Sequence, residues 1–191
     1  MDLLEAYRRS LAEFVDRVEQ VGPGQWSDPT PCADWDVRTL VNHVVSEDRW
    51  SVALLAGRTL EEVGDRFDGD SLGAEPAVAA REAAAQAEIA ATHPGAADQV
   101  VHLTSGDTPG AEYLRQRIAE HLVHGWDVAV AIGAEPRLDP DAVHVCAQWF
   151  AGRIDAYRRG ELVRAGVDPP ADADEQDRLL AAFGRDPGWA P

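Results

Sequence analysis

Apolar residues recur with the period of an α-helix along almost the whole of this 191-residue chain. The first segment shows the pattern most clearly, with large side chains at alternating spacings of three and four: Leu4, Tyr7, Leu11, Phe14, Val18 and Val21. This spacing predicts an amphipathic helix that ends at the Gly-Pro-Gly sequence of residues 22–24. Because such an apolar stripe must be buried against other elements, it favours a bundle of packed helices.

Capping residues and helix-breaking residues place a second and a third helix. Asp36 is a typical N-cap for a helix that runs toward Gly57. An Ala-rich stretch predicts a third helix over residues 76–91. Residues 99–103 (QVVHL) are the only segment with strand character, and one short strand cannot form a sheet. The sequence therefore predicts an all-α protein.

An N-cap residue followed by a first-turn proline occurs twice in the second half of the chain. Thr108-Pro109 predicts the start of a fourth helix, which ends near Gly133. Asp139 predicts the start of a fifth helix, and one apolar stripe extends this helix to Gly160. Four long helices and a fifth therefore precede the C-terminal part of the chain.

The C-terminal part has a different composition. Residues 166–173 (GVDPPADA) are typical of a linker, and a short last helix is predicted near residues 174–183, ending at Gly184. We therefore expect a helical bundle over residues 1–165. A linker and a short helix that packs on the bundle follow over residues 166–191.

Charge and cysteine content exclude several classes of function. The chain has 34 acidic and 17 basic residues, a formal net charge of -17. Such a surface repels phosphate backbones and anionic lipids, so we expect neither nucleic acid nor membranes as partners. The sequence has neither a long apolar run nor an N-terminal leader, and Cys32 and Cys146 form no CxxC motif. These features predict a cytoplasmic protein without a disulfide framework.

Three residues on two predicted helices have the spacing and chemistry of metal ligands. Glu120 and His124 are four residues apart, so their side chains leave one helix face with Cβ atoms about 5–6 Å apart. His43 lies beside the apolar positions Leu40 and Val44 of the second helix, which turns it toward the core. Two histidines and one glutamate are the ligand set of a catalytic zinc site with an open fourth position.

Other interpretations of the same residues remain open. Glu47 follows His43 by four residues, so these two and the Glu120/His124 pair would suit a two-metal centre. His121 would replace one of the proposed ligands if it faced the same point. Alternatively, the imidazoles lie at the edge of the core, satisfied by hydrogen bonds and without a metal.

Residues near the proposed ligands in sequence are candidates for supporting roles. Asp127 is three residues after His124 and would orient the second ring nitrogen of that histidine, or else lie exposed on the helix. Cys32 lies in a proline-rich turn. It would be either a buried small side chain or a thiolate with a chemical role. Three arginines are also close in sequence: Arg49, Arg115 and Arg117. They would bind acidic groups of a substrate or form a solvated, salt-bridged helix face.

Two segments of the chain resemble a known family. Residues 29–43 (PTPCADWDVRTLVNH) and 119–127 (AEHLVHGWD) are similar to the mycothiol-dependent maleylpyruvate isomerase-like family of the DinB-like metal-binding superfamily. The closing segment 177–187 (DRLLAAFGRDP) is also typical of that group. The chain most resembles the short actinobacterial members of the family.

The resemblance implies a fold, a metal site and a cosubstrate. The fold is a DinB-like four-helix bundle, here with additional short C-terminal helices. Its divalent metal is zinc, with nickel as the alternative, and the ligands fall on His43, Glu120 and His124. Mycothiol, a small thiol, would place its sulfur at the open metal position, where a metal lowers the pKa of a thiol. Related bundles also form dimers, so a homodimer is expected.

The resemblance does not carry over the isomerase reaction itself. The isomerases proper have an additional C-terminal domain that contributes to their active site, and we do not expect that domain here. A thiol transferase or isomerase-type enzyme that acts on a small electrophile is therefore the expected function. The alternatives are a non-catalytic metal-binding bundle or dimeric interaction module, and a metal-dependent hydrolase.

Overall fold

The computed structural model describes residues 1–159 and 166–191 of the chain. These residues form eight helices and one hairpin in the following order: α1 (Leu3–Glu19), α2 (Val37–Leu55), α3 (Leu60–Val63), α4 (Pro76–Thr92), β1 (Val100–Leu103), β2 (Gly106–Pro109), α5 (Gly110–Ile132), α6 (Pro140–Ala151), α7 (Ile154–Arg159) and α8 (Glu175–Ala182).

The four long helices α1, α2, α4 and α5 form a bundle, as the apolar periodicity predicts. Helix α1 packs along α5 and α4, and α2 packs along α4 and α5. The stripe predicted for α1 is buried, with Phe14 and Val18 each only 1% exposed. Helix α5 lies at the centre and buries residues on every face over its second half. The prediction of a helical bundle with short C-terminal helices is confirmed.

Aspartate caps set where several helices begin. The side chain of Asp36 accepts a hydrogen bond from the Thr39 amide at 2.8 Å and so starts α2. Asp139 caps α6 and Asp174 caps α8 in the same way. The caps expected at Asp36 and Asp139 are therefore confirmed, and the short last helix lies where it is predicted.

The strand-like segment before α5 forms a hairpin, which the sequence analysis did not expect. Strand β1 pairs with β2 in antiparallel register, with Val101 opposite Thr108. The prediction that Thr108-Pro109 starts a helix is therefore wrong, because these residues end β2 and α5 begins at Gly110. The backbone of β1 forms hydrogen bonds with the segment that follows it. That segment is therefore a second strand, which pairs with the one predicted.

The fifth predicted helix is not continuous. Helix α6 ends at Ala151 with Gly152 as its C-cap, and α7 follows as a separate short helix. The bend brings Tyr157 against Trp149, with ring centroids 5.6 Å apart. The predicted end of this helix at Gly160 lies outside the described residues.

Helix α8 packs on the bundle. Its Leu179 and Leu180 belong to the same core cluster as residues of α1 and α5. Phe183, the C-cap of α8, stacks on Phe150 of α6 with centroids 4.0 Å apart. The division of the chain between residues 165 and 166 stays a prediction, because residue 165 lies outside the described part.

No helix in the described part of the chain combines the length and the apolarity needed to cross a bilayer.

Candidate metal centre

The three ligands predicted from the sequence converge between α2 and α5. His43 Nε2 lies 3.2 Å from Glu120 Oε2, and His124 Nε2 lies 3.2 Å from the same oxygen. One potential ligand atom from each of the three side chains lies within 4.8 Å of the other two. The i,i+4 spacing on α5 and the inward direction of His43 therefore bring two imidazoles and a carboxylate to one point.

Trp35 covers one side of this group. Its ring centroid lies 4.9 Å from that of His43 and 6.0 Å from that of His124. Trp35 immediately precedes Asp36, the N-cap of α2, so the turn that starts the helix also places the indole against the imidazoles. The rings restrict one another, which reduces the rearrangement needed to bind a ligand.

The donor set fits a divalent cation. Two ligands at 2.0–2.1 Å from a tetrahedral zinc ion are about 3.3 Å apart, close to the separations found here. Imidazole nitrogen and carboxylate oxygen are both ordinary zinc ligands. In the part of the chain that the structure describes, these residues form the one cluster of at least three such side chains. Three protein ligands leave a fourth position open.

The electrostatics of the group also favour a cation. Burial by itself would raise the pKa of Glu120, but the imidazoles of His124 and His43 lower it well below its ordinary value. Burial alone would lower the pKa of His124, whereas Glu120 and Asp127 raise it to about 9. Two ionised carboxylates thus flank one imidazole, and a positive charge between them is stabilised.

Asp127 holds the other ring nitrogen of His124. Its carboxylate is fully buried, and Oδ2 lies 3.0 Å from His124 Nδ1, so the alternative of an exposed helical aspartate is wrong. Arg185, which follows α8, donates to both oxygens of Asp127, from Nη2 at 2.8 Å and from Nε at 3.2 Å. A carboxylate that accepts from a histidine Nδ1–H directs Nε2 toward the ligand cluster, where a metal that binds would replace the Nε2 proton.

Arg185 is a residue that the sequence reasoning missed. Its spacing from the other site residues gives no signal, because it approaches from the C-terminal segment. It does lie within the closing segment 177–187, whose resemblance to the family was noted.

The two alternative ligands face other partners. His121 is buried, and its Nε2 lies 2.9 Å from Asp48 Oδ1. Glu47 Oε2 lies 3.6 Å from Arg117 Nη1. Neither side chain joins the cluster of ligand atoms. The geometry therefore does not support a two-metal centre or a ligand exchange at His121.

Next to the candidate centre lies a buried ionic cluster that the sequence reasoning did not identify. Asp48 is 1% exposed and accepts from Arg117 Nη2 at 3.1 Å and from His121. Burial alone would raise the pKa of Asp48, but His121 and Arg117 hold it below its ordinary value. Arg117 is 2% exposed, so the interpretation of a solvated helix face is wrong for this arginine.

Two of the three candidate arginines face away from the centre. Arg115 donates to the carbonyl of Ala111 on its own helix, and Arg49 lines a different groove, between α2 and α4. Cys32 is half-buried in the turn before α2, where its carbonyl accepts from Thr30. These contacts do not support a role for Arg49 or Arg115 at the metal centre.

A cavity of about 240 Å³ opens onto the candidate centre. Its lining combines two of the proposed ligands with aromatic and polar side chains from four helices and the end of α8: His43, Glu47, Tyr113, Gln116, Arg117, Ala119, Glu120, Trp149, Tyr157 and Phe183. A small molecule in this cavity would contact the open side of the metal group.

Comparison with family models identifies the chain. Residues 7–129, which include α2 and all three proposed ligands, match the mycothiol maleylpyruvate isomerase N-terminal domain. The chain belongs to this family. The recognition made from residues 29–43 and 119–127 is therefore confirmed.

Relatives and solved structures agree with this membership. Two uncharacterized proteins of Mycobacterium tuberculosis, from strains CDC 1551 and H37Rv, are each 33% identical over 97% of this chain and 98% of the relative. The crystal structure of the mycothiol-dependent maleylpyruvate isomerase is similar over 100% of this chain and 82% of that one, with a TM-score of 0.63 at 16% identity. A histidine-to-alanine mutant of that isomerase gives a TM-score of 0.65. The DinB-like helical fold is therefore confirmed.

The buried cluster beside the centre leads to a stability prediction. Asp48→Asn keeps the shape of the side chain but leaves the Arg117 guanidinium without a buried counter-charge. We expect the free energy of unfolding to fall by about 3–5 kcal/mol, the usual cost of breaking a buried ion pair. Urea denaturation followed by circular dichroism measures this change.

The matched control is Asp16→Asn, because Asp16 is exposed on α1. This substitution should change the free energy of unfolding by no more than about 0.5 kcal/mol. An equal and small effect of both substitutions would contradict the role assigned to Asp48.

Proposed function

We propose that this protein is a divalent-metal-dependent enzyme that adds a small thiol, mycothiol, to a small electrophile. One observation carries the proposal: two imidazoles and a carboxylate converge at 3.2 Å separations beside a cavity, with a fourth position open. Membership of the family supports the thiol, since the similar crystal structure is that of a mycothiol-dependent enzyme. Zinc is the expected metal, with nickel as the alternative.

Each residue of the site has a separate task in this proposal. His43, Glu120 and His124 hold the cation, and Asp127 together with Arg185 keeps His124 in the tautomer that binds through Nε2. A divalent cation held there lowers the pKa of a thiol that occupies the open position, so that the thiolate forms at neutral pH.

The cavity receives the electrophile. Aromatic side chains line it beside His43 and Glu120, and the partly exposed faces of these two residues give the thiol access to the open position. The sulfur and the hydrogen of the thiol both enter the product, so addition needs no further reactant. The homodimer and the cytoplasmic location remain predictions from the sequence and its resemblance.

The two alternative functions, a structural metal site and a metal-dependent hydrolase, differ from this proposal in what occupies the fourth metal position. A structural metal site would have a fourth protein ligand, whereas Glu47 and His121 contact Arg117 and Asp48 instead. A hydrolase would keep a water molecule at that position when thiol is added. Neither alternative has an observation in its favour that the thiol enzyme lacks.

The metal assignment is tested by removing one ligand at a time. Each protein is loaded with zinc and then dialysed to remove unbound metal. We expect the wild type to retain about one zinc ion per chain. The variants His43→Ala, Glu120→Gln and His124→Ala should retain far less. Zinc at a hundredfold excess over its dissociation constant should stabilise the wild type by about 2.7 kcal/mol but none of the three ligand variants. Elemental analysis and thermal unfolding measure the two effects.

His144→Ala is the matched control, since His144 is exposed and contacts Glu175 away from the centre. It should retain zinc as the wild type does. Retention of one zinc ion by all three ligand variants would contradict the assignment, as would a wild type that neither binds zinc nor gains stability from it.

The contact between Arg185 and Asp127 gives a second prediction. Arg185→Gln removes the charge that holds Asp127, so we expect zinc affinity to fall about 10–100-fold, as is usual when a partner of a metal ligand is lost. The zinc affinity of Arg185→Lys should lie between those of the wild type and Arg185→Gln, because lysine keeps the charge but not the bidentate geometry. Isothermal titration of zinc into each folded variant measures the affinities.

Arg137→Gln controls for loss of a charge, because Arg137 is exposed and pairs with Asp174. Its zinc affinity should equal that of the wild type. Circular dichroism establishes that each variant is folded before titration. A folded Arg185→Gln protein that binds zinc as tightly as the wild type would rule out the positioning role.

A further inference from the structure

We propose that the groove between α2 and α4 binds a small phosphate ester that has an apolar body. This groove lies on a different face of the bundle from the candidate metal centre, and the inference is independent of the proposed thiol addition. Three observations carry it: three arginines around one groove, the absence of an ion pair for two of them among the described residues, and an apolar floor.

The groove faces away from the metal centre. It has a volume of about 540 Å³ and is lined by α2, α4 and the connection between them. Glu47 lines the cavity beside the metal centre, and Arg49 lines the groove. The two residues leave α2 about 200° apart around the helix axis, so they face opposite sides. Helix α6 packs on α1 and α5, the two bundle helices that do not line the groove.

Hydrogen bonds hold the connection between α2 and α4 against α2. Ser46 Oγ donates to the carbonyl of Phe67 at 2.9 Å, and Asn42 Nδ2 donates to the carbonyl of Gly69 at 2.9 Å. These contacts fix the backbone beside Arg66. An arginine on an otherwise exposed connection is thereby positioned at the groove, where its side chain joins those of two other arginines.

The groove has an excess of positive charge. Its lining includes Arg49, Arg58 and Arg66 and one acidic residue, Glu82. Arg58 is 64% exposed and lies 3.7 Å from Glu62, so this pair is weak and screened by solvent. Among the described residues, neither Arg49 nor Arg66 has an ion-pair partner. A phosphate monoester carries up to about two negative charges near neutral pH and matches these two guanidinium groups.

Other negative groups close to the groove do not line it or are already satisfied. The last carbonyls of α2 would repel an anion, but the Arg58 amide donates to Ala53 at 3.1 Å and the Gly57 amide donates to Leu54 at 2.9 Å. The carboxylates on either side of Arg66 in sequence, at positions 65 and 68, are exposed and do not line the groove. The groove itself therefore has three guanidinium groups and one carboxylate.

Apolar side chains form the floor between the charged groups. They come from both helices and from the connection: Val52, Ala53, Ala56, Phe67 and Ala83. Small alanine side chains keep the groove open, and the phenyl ring adds a flat apolar surface. A ligand with an aromatic or aliphatic body buries this surface, which inorganic phosphate cannot do.

The charge of the whole chain favours a small ligand over an acidic macromolecule. The formal net charge is -17, so a large acidic partner would meet repulsion over most of its contact surface. A small anion meets mainly the charges of the groove, because charges more than about 8 Å away are screened at physiological ionic strength. Three terminal phosphate oxygens can also accept hydrogen bonds from more than one guanidinium.

The test compares 1-naphthyl phosphate with its two parts, 1-naphthol and inorganic phosphate. Each is titrated into the zinc-loaded protein by calorimetry. We expect 1-naphthyl phosphate to bind at least about tenfold more tightly than either part, because charge-assisted hydrogen bonds and apolar burial both contribute. No binding of 1-naphthyl phosphate would overturn the inference, as would equal affinity for 1-naphthol or for inorganic phosphate.

Substitutions locate the ligand in the groove. Arg49→Gln and Arg66→Gln should each weaken the binding of 1-naphthyl phosphate about tenfold, the usual effect of losing one hydrogen-bonded charge. Arg9→Gln is the control, because Arg9 lies on α1 and pairs with Glu5 and Asp139. Circular dichroism establishes that each variant is folded. The same affinity in all three variants would contradict the assignment to the groove.

A further variant excludes binding at the metal centre, where phosphate could bind zinc. His124→Ala removes a proposed metal ligand on α5, outside the groove. It should bind 1-naphthyl phosphate as tightly as the wild type, whether or not the metal assignment is correct. Loss of binding in this folded variant would place the ligand at the metal centre and overturn the inference.

Discussion

The buried carboxylate of Asp127 is the group on which the arrangement of the site depends. A fully buried charge is stable only when hydrogen-bonded partners compensate it, and here His124 and Arg185 do so. His124 belongs to the candidate metal centre, and Arg185 belongs to the segment after α8. One carboxylate therefore couples the packing of the C-terminal segment to the orientation of a proposed metal ligand.

The same C-terminal segment also shapes the cavity. Phe183 stacks on Phe150 of α6 and contributes to the cavity wall beside Glu120. Arg185 lies two residues further on, so a single turn of chain both lines the proposed substrate pocket and holds Asp127. The segment directly after the predicted short helix therefore contributes both to the cavity wall and to the contacts of Asp127.

Local patterns in the sequence predict much of this protein. The period of apolar residues predicts the bundle, and the spacing of Glu120 and His124 on one helix face predicts that their side chains meet. Pairings between distant segments are not predicted in this way. The contact of Asp48 with Arg117 depends on tertiary packing, and Arg117 looks like a solvated surface residue until its partner is known. Strand β2 is local but is missed for another reason, since its residues Gly106–Pro109 have no apolar alternation.

The central claim is that His43, Glu120 and His124 hold a cation whose open position takes a thiol. Cobalt(II) tests it most directly, because it replaces zinc and its absorption spectrum reports the ligands around it. We predict that adding mycothiol to the cobalt-loaded protein produces a new sulfur-to-cobalt charge-transfer band, and that His124→Ala abolishes this band. A cobalt spectrum unchanged by thiol, in protein shown to contain one cobalt ion per chain, would contradict the account.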